Sequence, residues 1–194
     1  MHVVRIVNSH NMHMWSDKNP RITRLRSFQV RWKINVWAGI MGTNILGPII
    51  LPEILNGALY KDILAENILD FLEEIPFAER NRIIFQQDGA GPHNARVVTE
   101  YLNEQFPGRW MGRYGPIPWP ARSPDLNPLD FFLWGHCKEV IYKKLPENLE
   151  DLNDKLHYAI WDIDNDILQK TQRNLLRRMR ACIAMNGGHF EHLL

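Results

Sequence analysis

Arg82-Ile83-Ile84-Phe85-Gln86-Gln87-Asp88-Gly89 is a short apolar run that stops on an aspartate and a glycine. Followed by the small-residue turn Gly89-Ala90-Gly91-Pro92, it reads as a buried strand with a carboxylate at its C-terminal tip. A second carboxylate closes Trp119-Pro120-Ala121-Arg122-Ser123-Pro124-Asp125-Leu126-Asn127-Pro128-Leu129-Asp130. Pro128 suits the first turn of a helix that continues to Tyr142, which puts Asp130 just inside the start of that helix. Open α/β sheets bind ligands beyond the carboxyl ends of their strands, and two such acids can meet there. Magnesium takes only a few protein carboxylates, and water and phosphate fill its other positions. Each acid also has a plainer reading. Asp-Gly is a common turn, and an acid at a helix start is favoured by the helix dipole. Asp125 competes with Asp130 but is better placed as a turn or cap residue.

The flanking sequence supplies the rest of an α/β architecture. Residues 3–7 alternate weakly and suggest a strand or the end of one. Lys33-Ile34-Asn35-Val36-Trp37-Ala38-Gly39-Ile40 alternates β-formers and is closed by Gly42; residues 45–51 form a second strand, so the two predict a hairpin. Asn56 is an N-cap candidate for a helix with Tyr60, Leu64, Ile68 and Phe71 or Leu72 on one face, ended by Pro76. Another helix is expected from about Asn94, with Ala95, Val98, Leu102 and Phe106 inward and Pro107-Gly108 as its stop. Residues 110–124, full of Pro, Gly and Trp, predict a short strand and an ordered loop. Leu149, Leu152, Leu156 and Ile160 mark one further helix, and Leu168, Leu175 and Met179 mark the last before Asn186-Gly187-Gly188. The order is an α/β core over residues 1–145 with a helical extension over residues 146–194.

Composition narrows the classes. The chain has 194 residues, 45% apolar and 23% charged, which is ordinary for a globular domain with a real core. Its two cysteines, Cys137 and Cys182, have no Cys-x-x-Cys spacing, which argues against a zinc site or disulfide framework and fits a reducing, cytosolic or nuclear compartment. No apolar run is long enough to span a bilayer, and no signal peptide is expected. Net charge is only +1, but basic residues cluster at the ends: Lys170, Arg173, Arg177, Arg178 and Arg180 stand without an acid over residues 169–182. Such clusters suit phosphate binding, although solvated helix faces look the same.

Phe85-Gln86-Gln87-Asp88-Gly89-Ala90-Gly91-Pro92-His93-Asn94 resembles the second-aspartate block of the Tc/mariner-like transposases. The stretch from Trp119 to Asp130, continued by Phe131-Phe132-Leu133-Trp134-Gly135, is similar to their third-carboxylate block. The two aspartates are 42 positions apart, compatible with members that use Asp at the third place. Val7-Asn8-Ser9-His10-Asn11 and Asn186-Gly187-Gly188-His189-Phe190-Glu191-His192-Leu193-Leu194 extend the similarity to both ends.

The resemblance implies a ribonuclease H-like mixed sheet flanked by helices, and nuclear cutting and rejoining of transposon DNA with Mg2+ or Mn2+. It assigns metal binding and catalysis to Asp88 and Asp130. DNA is the implied partner, through Arg122, His93, Arg177, Arg178 and Arg180, and a homodimer is compatible. The family's first aspartate falls a few positions before Met1 in this alignment. The expectation is therefore a chain with its first central strand largely missing, weakened metal binding and no cutting on its own. A non-catalytic nucleic-acid-binding or interaction protein derived from a transposase is the alternative.

Overall fold

The computed structural model describes residues 2–5, 32–73, 75–120 and 123–194. Its backbone begins with β1 (His2–Arg5), β2 (Lys33–Met41) and β3 (Asn44–Leu51), an antiparallel sheet in that order. The expected hairpin is β2–β3, turning through Gly42 and Thr43 so that Met41 pairs with Asn44. Gly42 has φ +58°, a left-handed conformation that a glycine adopts without strain. A register shift lies between Trp37 and Gly39, opposite Gly47, where φ is +86° and a Cβ would lie 2.9 Å from the Trp37 carbonyl oxygen.

Asn56 caps α1 (Gly57–Glu73): its Oδ1 accepts the Leu59 N–H at 3.0 Å. Tyr60, Leu64 and Ile68 are buried along one face, as their spacing predicts. After the single turn α2 (Phe77–Arg80) comes β4 (Phe85–Gln86), then α3 (Arg96–Gln105), β5 (Trp110–Gly112) and β6 (Ile117–Pro118). These three short strands form a parallel sheet, β4-β5-β6. The mixed sheet expected from the sequence is thus present as two halves, and among the described residues no ladder joins them.

The remainder is helical: α4 (Trp134–Tyr142), α5 (Leu149–Trp161) and α6 (Asn165–Ala184). Asn148 and Asp164 cap α5 and α6, accepting backbone N–H groups at 2.8 and 2.6 Å. Alternation along β2 divides the interior. Ile34, Val36 and Ala38 join a core with Leu133, Trp134, Ile141, Leu152, Leu156 and Leu168, so α4, α5 and α6 cover one face. Trp37 packs instead against the core of Tyr60, Leu64, Val98, Leu102, Phe106 and Trp110 under α1 and α3. Leu149, expected inward, is exposed at the first turn of α5. No helix among the described residues is long and apolar enough to cross a membrane.

Candidate nucleic-acid-processing site

The tip of β4 is held by its ladder with β5. The Phe85 N–H donates to the Arg109 carbonyl at 3.0 Å and the Gln87 N–H to that of Met111 at 2.9 Å. The next residue leaves the sheet, and it is Asp88. Its Oδ1 accepts the Ala90 N–H at 3.0 Å, an Asx turn that fixes the carboxylate against its own loop. His93 Nδ1 lies 2.7 Å from the same oxygen, a close contact in which the ring N–H is not aligned for a good hydrogen bond.

Two buried side chains, Tyr60 and Gln87, back this pair. The His93 ring, 6% exposed, stacks on Tyr60 with centroids 4.3 Å apart. The Tyr60 hydroxyl donates to Gln87 Oε1 at 3.3 Å, and Gln87 Nε2 donates to the His93 carbonyl at 3.0 Å. Burial pushes the Tyr60 phenol up, so it stays a neutral donor. For Asp88, burial also pushes upward, but neighbouring groups, His93 and the Ala90 N–H among them, pull the carboxyl well below the usual range.

A depressed folded-state pKa means the charge stabilises the fold above the unfolded value and is lost as pH falls through the folded one. Asp88→Asn should therefore lower stability at pH 6, and the difference from the parent chain should shrink as pH drops below about 4. Urea unfolding at a series of pH values measures it. A difference that stays constant down to about pH 2 would contradict a stabilised carboxylate.

Asp130 is reached differently. In place of a plain α-helix after Pro128, residues Leu129–Leu133 form a π-turn closed by the Trp134 N–H on the Leu129 carbonyl. Asn127 brackets it. Its Oδ1 accepts the Leu129 N–H at 3.1 Å, and its Nδ2 donates to Asp130 Oδ2 at 2.8 Å. Residues 127–129 and Asp88 line one cleft of about 730 Å³, with β2 forming another wall. The structure therefore brings Asp88 and the turn leading into Asp130 to the same opening.

Oxygen donors suit a hard cation, and an ionised Asp88 suits it further. Among the described residues, however, no three His, Cys, Asp or Glu side chains come together. The chain's own donors fit part of a magnesium shell and leave the rest to other groups.

The expected DNA contacts divide. Arg122 lies outside the described residues. The His93 ring is taken up by Asp88 and Tyr60. Arg178 is half-buried, its guanidinium 4.4 Å from the Phe131 ring and Nη1 donating to the Asp125 carbonyl at 3.2 Å. It ties α6 to the loop before Asp130. Arg177 and Arg180 are exposed, as are Lys170 and Arg173. The four fall at successive spacings of three, four and three on α6, along one helix face, and among the described residues none is in an ion pair.

Three participants escape a reading by motif. Gln87 looks like strand filler, Tyr60 like core, and Asn127 like part of a turn. Two glutamines inside an apolar run, and an asparagine three positions before an acid, were the available signals.

No family model matches the chain. It is 26% identical over 182 residues to the Tc3 transposase of Caenorhabditis elegans, covering 92% of this chain and 52% of that protein. It is 25% identical over 163 residues to the human histone-lysine N-methyltransferase SETMAR, covering 81% of this chain and 22% of that one. The chain is a relative of the Tc1/mariner transposases. Its fold agrees: the Mos1 transposase catalytic domain superposes with TM-score 0.69 at 23% identity, over 82% of this chain and 76% of that one. The Mos1 mariner paired-end complex with Mn gives TM-score 0.77 at 21% identity, over 98% of this chain and 55% of that chain. This Tc/mariner relative therefore has the ribonuclease H-like fold that the resemblance implies. It spans about half the length of the Tc3 protein and less of SETMAR.

Proposed function

We propose that the chain is a transposase-derived DNA-transposition domain in which Asp88 and Asp130 are the metal-binding, catalytic carboxylates. The observation that carries this is Asp88 itself: an ionised carboxylate at the C-terminal tip of β4, facing a cleft whose wall at residues 127–129 leads into Asp130. Bound Mg2+ or Mn2+ would polarise a phosphate and activate an attacking water or hydroxyl. The chain's part is to hold the donors. The Ala90 N–H and His93 orient Asp88, and Asn127 orients Asp130. With no third carboxylate beside them among the described residues, the pair binds metal weakly and the chain alone does not cut. The Mos1 neighbours include a paired-end complex and a strand transfer complex, which supports DNA as the partner. Work on chromosomal DNA would be nuclear.

The test is Mg2+- or Mn2+-dependent nicking of a labelled duplex. It compares the chain, a version extended upstream by a strand carrying one aspartate, and that version with Asp88→Ala or Asp130→Ala. Nicking only by the extended version, lost in both alanine variants, is the expected result. Nicking by the chain itself would show that a third carboxylate is already at hand. Nicking that survives both substitutions would remove Asp88 and Asp130 from the chemistry.

The exposed basic stripe on α6 favours a second component, DNA binding without cutting. Each phosphate neutralised contributes about 0.9 to the slope of log affinity against log salt. Changing Lys170, Arg173, Arg177 and Arg180 together to Gln should flatten that slope by about 2–4 and weaken binding to all sequences alike. Arg178→Ala, by contrast, should lower stability more than the salt slope. An unchanged slope in the fourfold variant would show that this face does not touch DNA.

A further inference from the structure

Arg178 grips both flanks of the segment that carries Asp130. Its helix, α6, is anchored by the buried Leu168 and Thr171 and packs against the 3-10 turn Pro124–Leu126. Arg178 Nη1 donates to the Asp125 carbonyl at 3.2 Å, on the N-terminal side of Asn127. Its guanidinium carbon lies 4.4 Å from the centre of the Phe131 ring, on the C-terminal side of Asp130. Between these two holds, Asn127 makes the local bonds. Its carbonyl accepts the Asp130 and Phe131 N–H groups at 2.9 and 3.0 Å, and its Nδ2 donates to Asp130 Oδ2 at 2.8 Å. Arg178 also differs from its neighbours on α6. Lys170, Arg173, Arg177 and Arg180 are exposed, whereas Arg178 is half-buried and its Nε is shielded from solvent, with no hydrogen-bond partner among the described residues. A guanidinium N–H left buried and unpaired is costly, so the placement must be offset by what the side chain gains. Both gains, a carbonyl and an aromatic face, fall on the Asp130 segment.

We propose that Arg178 is a positioning residue for Asp130: by holding the Asp125 carbonyl and the Phe131 ring together, it fixes the loop and turn between them and so aims the carboxylate at its metal. This rests on the reading of Asp130 as a metal-binding carboxylate. Two holds on either side of a short segment restrain it far more than one, and Asn127 alone is part of the segment that has to be restrained. The chemistry calls for arginine. A planar cation can lay its face on a ring while an edge N–H reaches a carbonyl, whereas a lysine ammonium has neither the flat face nor the fixed fork. Arg178→Lys therefore keeps the charge without keeping both holds. The sign of the effect separates positioning from electrostatics. Deleting a cation beside a metal site would strengthen metal binding by charge alone, so a weaker site after its removal reports geometry.

The test is an amide NMR titration of the full chain with Mn2+, which broadens signals near the bound ion, read at residues 129–131. In Arg178→Met, which keeps the apolar stem, the Mn2+ concentration for half-broadening should rise about tenfold, the low end for losing a group that orients a metal ligand. Arg178→Lys should rise as well, and Leu156→Ala, which loosens the core away from this segment, should not. Phe131→Leu removes the ring but leaves Arg178, and should show the same rise if Arg178→Met fails to fold. An unchanged midpoint in the Arg178 variants, full rescue by lysine, or an equal rise in Leu156→Ala would each overturn the proposal. If the parent chain shows no broadening at either aspartate, the metal reading fails by itself. The Asn127 side-chain amide signal, which reports its bond to Asp130 without metal, then decides the positioning. It should move in Arg178→Met and stay in place in Leu156→Ala, and an unmoved signal in Arg178→Met would show that Arg178 does not hold Asp130.

Discussion

Trp110→Ala should destabilise the chain by about 3–5 kcal/mol, the range for removing a buried tryptophan from a packed core. Trp110 is 1% exposed and central to the core under α1 and α3. Its indole N–H donates to Asn103 Oδ1 on α3 at 2.8 Å, joining the helix to β5. The ring also lies over two glycines: a Cβ at Gly112 would come within 2.7 Å of it, and one at Gly115 within 2.9 Å. Removing the indole therefore leaves a cavity, an unpaired asparagine and a loosened turn together. The consequence for function runs through β5, since Phe85 of β4 pairs with Trp110 and Asp88 follows two residues after β4 ends. Urea unfolding measures the loss, with Trp110→Phe as a milder variant that keeps much of the ring. A loss under about 1 kcal/mol for the alanine variant would mean that this core does not support β4.

Much of this was legible because it follows from period and punctuation. The alternation of β2, the Asn56 cap, the inward faces of α1 and α3, and the stop at residues 186–188 all depend on local chemistry that spacing records. The Asp88 loop was legible too, since an apolar run ending in Asp-Gly has few other uses. What spacing does not record is pairing at a distance. The division of the sheet into two halves depends on which strands find partners, and nothing local to residues 83–87 specifies that. The π-turn is a similar case. Pro128 announces a helix, but nothing local announces the extra residue in its first turn, which leads into the buried Leu133 and Trp134. Arg178 shows the limit for charge: it reads as a phosphate ligand in sequence, yet Phe131 and the Asp125 carbonyl hold its guanidinium. Leu149 shows the same limit for hydrophobic periodicity, since the first residue of a helix can satisfy the pattern and still face solvent.

Leu133→Ala should cost about 2–5 kcal/mol and should disturb Asp130 more than any other part of the site. Leu133 is the last residue of the π-turn and is fully buried, in the core that Val36 and Ala38 of β2 share with α4, α5 and α6. Asp130 sits on the same turn, three residues earlier, with its carboxylate held by Asn127. The π-turn places Leu133 inward while Asp130 keeps its contact with Asn127; a regular α-helix would rotate one relative to the other. Loss of the leucine anchor removes the reason for the extra residue, so the turn should relax toward α-helical geometry and carry Asp130 out of register with the 127–129 wall. Two measurements separate this from a general loss of packing. Urea unfolding gives the stability change, with exposed Leu145→Ala as a control expected within about 0.5 kcal/mol of the parent. The amide chemical shifts of residues 127–131 report the turn, and these should move further than those of α5, where Leu156→Ala removes a comparable core side chain. If Leu133→Ala and Leu156→Ala destabilise equally and leave residues 127–131 unchanged, the π-turn is held by its own hydrogen bonds and the core does not position Asp130.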